Sequence, residues 1–191
     1  RQGRMSRQEL ARLAWWTLQY RLAVIDMDAV VRRLVVTMRG QSEAEMVAEC
    51  ERWCQEMVLP HIAELARARI EEHLARGHTV ALLTASTVYA GRPIARHLGL
   101  GDNAICTRLE VRDGLFTGRC VEPVCYGEGK LHWARAFAAE RGIDLGASYF
   151  YTDSYTDRAM LEAVGHPIAV NPDLRLRRCA RRRGWPVERF Y

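Results

Sequence analysis

From about residue 61 onward, short apolar runs typical of β-strands alternate with segments of helical periodicity. The strand-like runs TVALLT (79–84), SYFYT (148–152) and PIAV (167–170) are rich in β-branched and aromatic residues. Helices are predicted at 62–76, after residue 84 to Leu98, at 128–141 and at 155–164. Strands separated by helices form parallel sheets with helices on both faces. The sequence therefore predicts an α/β core.

The first sixty residues have a different pattern, which is helical throughout. Apolar residues at 27–38 recur at the spacing of one helix face, and Ser42 with Glu45 predicts a capping box for a helix that ends near Pro60. Within the later part, AICTRLEVRDGLFTGRC (104–120) predicts a strand and a hairpin that turns at Asp113-Gly114. We therefore expect a helical cap at 1–60, incomplete on its N-terminal side, and an α/β core at 61–191.

Composition narrows the classes of protein that this chain can belong to. No apolar run of the 191 residues approaches the roughly 20 needed to span a bilayer, so we expect no membrane association. The six cysteines include no Cys-x-x-Cys pair, which indicates reduced core thiols and a cytoplasmic protein, although Cys50, Cys54 and His61 have spacing that a metal could use. The net charge is +5, and the basic run 175–184 (RLRRCARRRG) leaves nucleic-acid binding as the weaker alternative to a solvated surface helix.

Polar residues follow two of the predicted strands and open a helix between them. Thr84-Ala85-Ser86 end one strand, where a hydroxyl and backbone N–H groups make either an anion site or an ordinary N-cap. Lys130, the only lysine among 28 Lys and Arg residues, opens a helix whose dipole disfavours a cation, so a phosphate-facing role is favoured over a surface role. Asp153 and Asp157 follow the strand at 148–152, where they either share a hard divalent cation or cap the next helix.

Taken together, these motifs resemble motifs two, three and four of the haloacid dehalogenase superfamily. LLTAS (82–86), GEGK (127–130) and YFYTDSYTDRAMLEAVG (149–165) carry that resemblance, and RPIARHLG, DGLFTGR and AVNPDLRLRRCARRRGWP are similar to its phosphoserine-phosphatase-like branch, subfamily IB. The resemblance implies a Rossmann-like core that binds phosphate through Thr84, Ala85, Ser86 and Lys130. It also implies catalytic roles for Lys130 and Asp157, Mg²⁺ bound through Asp153 with Asp157, and a small phosphorylated metabolite as substrate. Thr156 stands where that branch usually has asparagine, and we expect little effect on the metal.

The segment VIDMDAVV (24–31) looks like the nucleophile motif of this superfamily, a strand ending in Asp-x-Asp-Gly-Thr. Here Ala29 and Val30 replace the Gly-Thr turn, and helical periodicity already begins at Met27, so Asp26 is predicted to be an N-cap and Asp28 a first-turn acid. We therefore expect the nucleophile strand to be missing from the chain and these residues alone to be inactive.

A non-catalytic paralogue that binds a phosphorylated ligand or partner is the alternative. Tyr20, Arg21 and Trp53 are candidates for substrate selection on the cap, although helical surface is the default for all three. The sequence indicates neither the exact substrate nor the oligomeric state.

Overall fold

The computed structural model describes residues 27–191, which form seven α-helices and seven strands with short 3-10 and π turns between them. The helices are α1 (Met27–Thr37), α2 (Glu43–Trp53), α3 (Glu64–Ala75), α4 (Val88–His97), α5 (Glu128–Arg141), α6 (Arg158–Ala163) and α7 (Leu174–Arg183). The strands are β1 (Leu82–Thr87), β2 (Ala104–Thr107), β3 (Leu109–Arg112), β4 (Leu115–Cys120), β5 (Tyr149–Thr152), β6 (His166–Val170) and β7 (Val187–Glu188). The predicted α/β class is confirmed.

The parallel strands lie in two separate sheets instead of one continuous sheet. β1 pairs with β2, and β5, β6 and β7 form a second parallel sheet in that order. An apolar groove of about 540 Å³ lies between them, lined by both β1 and β5 and by the helices α3 and α5. Among the described residues, no strand pairs with the groove-facing edge of β1 or of β5. Within residues 27–191 this groove therefore separates the two parallel sheets.

The hairpin β3–β4 joins the N-terminal helices to the core. Its turn residues Asp113 and Gly114 both have positive φ (52° and 75°), which is the backbone that a two-residue hairpin requires. The segment between α1 and α2 runs alongside the hairpin, with Gly40 N–H donating to Phe116 O (2.8 Å) and Glu43 N–H to Gly114 O (2.9 Å). Val35, Tyr89, Phe116 and neighbouring apolar residues form a buried cluster across this junction. The hairpin therefore anchors α1 and α2 to α4 and β2.

Several predicted bounds are accurate, because local signals determine them. Ser42 accepts a hydrogen bond from Glu45 N–H at the start of α2 (3.4 Å), as the capping box predicts. Helix α5 has the predicted bounds and ends at Gly142, whose φ of 64° is the left-handed C-cap conformation that glycine favours.

Other bounds were predicted wrongly. The strand expected at 79–84 is β1 at Leu82–Thr87, because its pairing begins where Leu82 meets Ala104. The helix expected to run from Ser42 to Pro60 ends as α2 at Trp53 and continues as a π turn, in which Leu59 N–H donates to Cys54 O. A 3-10 turn over Leu59–His61 follows, because Pro60 has no N–H with which to extend a helix. The helix expected at 155–164 begins as a 3-10 turn at Tyr155–Asp157.

None of the helices described over residues 27–191 has the length and apolar character needed to cross a bilayer.

Candidate active site

A buried ion pair lies where β5 ends and α5 begins. Lys130 Nζ donates to Asp157 Oδ2 at 2.8 Å, with side-chain exposures of 11% and 4%. The hydroxyl of Thr152, the last residue of β5, donates to the same oxygen at 2.7 Å. The carboxylate of Asp157 is thus contacted from the end of β5 and from the first turn of α5. The cation held beside it is the ammonium of Lys130.

The backbone around Gly129 determines where Lys130 lies. A Cβ atom at Gly129 would overlap the carbonyl oxygen of Val124, so the loop before α5 approaches the helix more closely than any other residue allows. Gly129 N–H also donates to Tyr126 O at 2.8 Å. This close contact fixes the start of α5, and with it the origin of the Lys130 side chain.

The second oxygen of Asp157 is buried and has no hydrogen-bond partner among the residues that the structure describes. A buried carboxylate oxygen without a partner is rare, and such a group calls for a ligand or a cation. Asp153, at the tip of β5, adds exposed carboxylate oxygens near this pair. Oxygen donors of this kind fit a hard divalent cation such as Mg²⁺. In the described part of the chain no three His, Cys, Asp or Glu residues form a metal cluster.

The electrostatics at Asp153 are unfavourable for a free carboxylate. Partial burial raises the pKa of Asp153 above its usual value, and repulsion from the carboxylates of Asp157 and Asp173 raises it further. The ammonium of Lys130 and a backbone hydrogen bond act in the opposite direction. Additional positive charge at this point would stabilise the ionised form of Asp153.

The predicted phosphate-binding residues Thr84, Ala85 and Ser86 lie inside β1, before its end at Thr87. Ser86 N–H donates to Thr84 Oγ1 (3.2 Å), and Ala85 O accepts from the buried hydroxyl of Thr107 (2.8 Å). The N-cap of α4 is Thr87, and its side chain makes no capping bond, so the alternative of a simple N-cap at Thr84 or Ser86 is wrong. The hydroxyl of Ser86 is on an exposed residue.

The buried thiols Cys106 and Cys125 lie close to the Lys130–Asp157 pair and to the end of β1. Across the described residues no hydrogen bond joins the two groups directly. A Cβ at Gly91 would meet both Cys106 Sγ and Thr84 Cγ2, so α4 packs directly over these two side chains. Burial raises the pKa of Cys125 to about 12, and Lys130, Cys106 and Asp157 all lie close enough to influence it. Cys125 is therefore a protonated thiol at neutral pH and an unsuitable nucleophile.

Two residues that the sequence did not single out support the site. Asp173 caps α7 by accepting from Leu176 N–H (2.7 Å) and also accepts from Tyr155 N–H (2.8 Å) through its other oxygen. Its own N–H donates to Asp153 O at 2.9 Å, so one residue holds the acidic turn in place. Thr152 is the other residue, and its position directly before Asp153 could have identified it from the sequence. Asp173 could have been identified as an Asp that follows Asn-Pro and precedes a helix.

Polar contacts join the N-terminal helix α2 to α4, the helix that follows β1. The Tyr89 hydroxyl in α4 donates to Glu43 Oε1 in α2 at 2.7 Å. Burial, followed by the Glu43 hydrogen bond, raises the pKa of Tyr89, so its phenol remains a donor at neutral pH.

The remaining predicted residues do not join this site. Cys50 contacts Met46, and His61 contacts the Met57 carbonyl, so both have partners other than a shared metal. Trp53 is exposed. Asp26, Tyr20 and Arg21 lie outside the described residues.

Comparisons with known proteins show which family the chain is similar to. The family model for haloacid dehalogenase-like hydrolases matches residues 1–162. The phosphoserine phosphatase SerB1 of Mycobacterium tuberculosis is 40% identical over 165 residues, which cover 86% of this chain and 53% of that protein. The histidinol-phosphatase of Neisseria meningitidis is 31% identical over 175 residues, which cover 90% of this chain and 78% of that protein.

Solved structures share the fold. A Bordetella pertussis protein of unknown function has a TM-score of 0.83 at 32% identity, over 96% of this chain and 83% of that one. A phosphoserine phosphatase solved as a phospho-aspartyl intermediate analogue has a TM-score of 0.68 at 21% identity, over 96% and 82% of the two chains. The chain spans about half the length of the first curated relatives that it matches.

Proposed function

Because the chain belongs to the haloacid dehalogenase-like hydrolase family, we propose that it forms the greater part of a magnesium-dependent phosphomonoesterase that works through an aspartyl-phosphate intermediate. The observation that carries the proposal is the buried Lys130–Asp157 pair, with its unpaired Asp157 oxygen, next to Asp153 at the end of β5. A cation held in a buried position beside a carboxylate suits a dianionic phosphoryl group.

The phosphoryl group would be held by groups from β1 and α5. In this proposal the Thr84 hydroxyl and the exposed Ser86 contact the phosphoryl oxygens, and Lys130 neutralises their charge. Lys130 remains anchored by Asp157 at 2.8 Å, so the position of its ammonium does not have to be established when substrate binds.

Asp153 and the free oxygen of Asp157 would hold the metal ion. When bound, Mg²⁺ supplies positive charge to the phosphoryl oxygens. Asp157 would then bridge two cations, because one of its oxygens already accepts from Lys130 and Thr152.

The groove between β1 and β5 supports the proposal that another strand carries the nucleophile. The groove is lined by apolar side chains and lies between two strand edges that are unpaired within residues 27–191. An apolar strand placed there would end beside the carboxyl ends of β1 and β5, where the site residues lie. Its terminal aspartate would attack phosphorus, form the acyl phosphate and release the alcohol, and water would then release phosphate.

The substrate class, the location and the domain division belong to the same proposal. We place the cap at 1–60 and the core at 61–191, and a small phosphorylated metabolite between them. The names of the phosphoserine and histidinol phosphatases among the relatives support that class of substrate. A cytoplasmic location is supported by the six cysteines, which are all free thiols.

A grafting experiment tests the proposal. A strand ending in Asp-x-Asp-Gly-Thr, taken from a relative, is fused ahead of residue 1, and phosphate release is measured on a panel of phosphomonoesters with Mg²⁺. We expect turnover by the fusion and essentially none by residues 1–191 alone. Replacing the first aspartate of the grafted strand with asparagine should abolish turnover, whereas Asp26→Asn should leave it unchanged.

The opposite outcomes are equally clear. Robust hydrolysis by residues 1–191 that is lost in Asp26→Asn would overturn the assignment of the nucleophile. A folded fusion that binds a phosphorylated ligand without hydrolysing it would favour the non-catalytic alternative.

A further inference from the structure

Helix α7 presents a face made almost entirely of arginine. Its apolar residues Leu176, Cys179 and Ala180 are buried against the core. The opposite face carries five exposed arginines: Arg175, Arg177, Arg178, Arg181 and Arg182. From Arg175 to Arg182 this basic face extends about 10 Å along the helix axis, at 1.5 Å per residue.

Four arginines of this face have no anionic partner among residues 27–191. Arg183, at the end of the same helix, pairs with Glu162 at 2.5 Å. By contrast, Arg177, Arg178, Arg181 and Arg182 have no carboxylate within 4.0 Å anywhere in the described part of the chain. Asp173 is occupied as the N-cap of α7. Like charges at helical spacing repel each other, so the face is left with a positive potential that an external anion would relieve.

The arginines also form a concave site. Arg175, Arg178, Arg181 and Arg182, together with Tyr155 from the acidic turn, line a groove of about 480 Å³. The guanidinium of Arg175 lies 4.5 Å from the Tyr155 ring centroid, and that of Arg158 lies 5.9 Å from it. The Tyr155 ring therefore already contacts guanidinium groups, and the other lining residues named for this groove are all arginines.

These features discriminate between classes of polyanion. A membrane-binding helix inserts an apolar face into the lipid, but the apolar face of α7 is already buried in the protein. Guanidinium groups recognise phosphate oxygens in a bidentate manner, and a row of them suits phosphates linked in a chain. The guanidinium groups of this groove come from one helix, an arrangement that suits a single phosphodiester backbone.

We propose that this arginine face binds single-stranded nucleic acid through its phosphodiester backbone, without reading the bases. The site is distinct from the phosphomonoester site, since it uses α7 and Tyr155 and none of the residues that would hold the substrate phosphoryl group.

The test is fluorescence anisotropy of a labelled single-stranded oligonucleotide, titrated with the full 191-residue chain over a range of salt concentrations. In the triple variant Arg178→Gln/Arg181→Gln/Arg182→Gln we expect at least a tenfold loss of affinity. The slope of log affinity against log salt should fall by about 2, because each lost phosphate contact in a single strand removes about 0.7 released counterions. Oligonucleotides of different base composition should bind within about twofold of each other.

The matched control is Arg33→Gln/Arg52→Gln/Arg135→Gln. These three arginines are exposed, lie on other helices and change the net charge by the same amount. We expect the control to bind almost as tightly as the unmodified chain, with circular dichroism confirming that both triples are folded. Equal losses in the two triples would show that only net charge matters, and the proposal would be wrong. Absence of binding at low salt, tighter binding to a duplex, or binding only to anionic vesicles would each overturn it as well.

Discussion

Lys130 in α5 and Asp157 in the turn after β5 are 27 residues apart in sequence, yet their side chains form a buried ion pair at 2.8 Å. The pair joins the two elements whose ends make the candidate site. Because the pair is buried, each charge has lost its hydration and is stabilised mainly by the other charge. One oxygen of Asp157 completes this pair and the other is left for a further ligand.

Removing one partner of this pair should destabilise the protein strongly. We expect Asp157→Ala to lower the free energy of unfolding by about 3–5 kcal/mol, because Lys130 is then left buried and uncompensated. Urea unfolding in the presence of a chelator measures this. The double variant Lys130→Met/Asp157→Leu should recover a large part of the lost stability.

As a control, Glu162→Ala removes an exposed carboxylate from Arg158 and Arg183 and should cost less than about 1 kcal/mol. Similar losses in Asp157→Ala and Glu162→Ala would contradict the buried character of the pair.

The raised pKa of Asp153 predicts a pH-dependent response to magnesium. Between the unfolded pKa of about 3.9 and the higher folded value, the folded state binds more protons, so the contribution of Asp153 to stability falls as pH rises through this window. Metal binding requires the ionised form, so stabilisation by Mg²⁺ should increase over the same window. Thermal unfolding with and without Mg²⁺ measures the effect.

The variant that tests this assignment is Asp153→Asn. It should lose the magnesium-dependent stabilisation, yet be at least as stable as the unmodified chain when magnesium is absent, because the repulsion from Asp157 and Asp173 is removed. Glu140→Gln, which changes an exposed acid on α5, is the matched control. Full magnesium stabilisation in Asp153→Asn would show that the metal ligand lies elsewhere.

His73, which lines the groove between β1 and β5, predicts a second pH dependence. Burial lowers the pKa of His73, and the nearby charges of His78, Arg69 and Arg76 lower it further, whereas Glu72 raises it. Its ring nitrogens contact His78 Nδ1 and the Tyr151 hydroxyl, each at 2.9 Å. Below the unfolded pKa of about 6.5 the unfolded chain binds the additional proton, so stability should fall as pH falls from 6.5 toward the folded pKa.

The measurement for His73 is the denaturation midpoint at several pH values between 5 and 7.5. His73→Gln should flatten the profile, and replacing the exposed His132 with glutamine should leave its slope unchanged. An identical slope in the unmodified chain and in His73→Gln would rule out His73 as the origin.

The sequence predicts those parts of the fold that local signals determine. Asp113-Gly114 require positive φ and so predict the hairpin, and the bounds of α5 follow from its periodicity and from Gly142. Lys130, Asp153 and Asp157 could be predicted as candidate site residues because strand ends and helix starts can be read locally. Their pairing in space could not be read in this way.

The features that the sequence did not predict depend on contacts between distant segments. The bounds of β1 are determined by its pairing with β2, from Leu82 with Ala104 to Thr87 with Thr107, so 84–86 lie within the strand instead of after it. The Thr152 hydroxyl on Asp157 and the contact of Asp173 with the acidic turn likewise require knowledge of how β5 and β6 pair. Which strands are neighbours in the two parallel sheets of residues 27–191 could not be predicted either, because periodicity carries no information about strand neighbours.

The last prediction concerns the substitution Lys130→Arg in the fusion protein that carries a nucleophile strand. Lys130 is the only lysine among 28 Lys and Arg residues, and its side chain is 11% exposed and packed beside Cys125 and Asp157. A planar guanidinium is larger than an ammonium, and its fixed fork of donors cannot rotate toward both a nucleophile and a phosphate oxygen. We expect turnover to fall roughly a hundredfold, equivalent to about 3 kcal/mol of transition-state stabilisation, as when other preorganised electrostatic groups are removed. Stopped phosphate-release assays give the turnover number, and circular dichroism verifies the fold.

Arg135→Lys, the reverse change at an exposed position of the same helix, should have no effect. Near-normal turnover in Lys130→Arg would mean that a positive charge alone is sufficient at this position, and that the compact ammonium paired with Asp157 has no special part in binding the phosphoryl group.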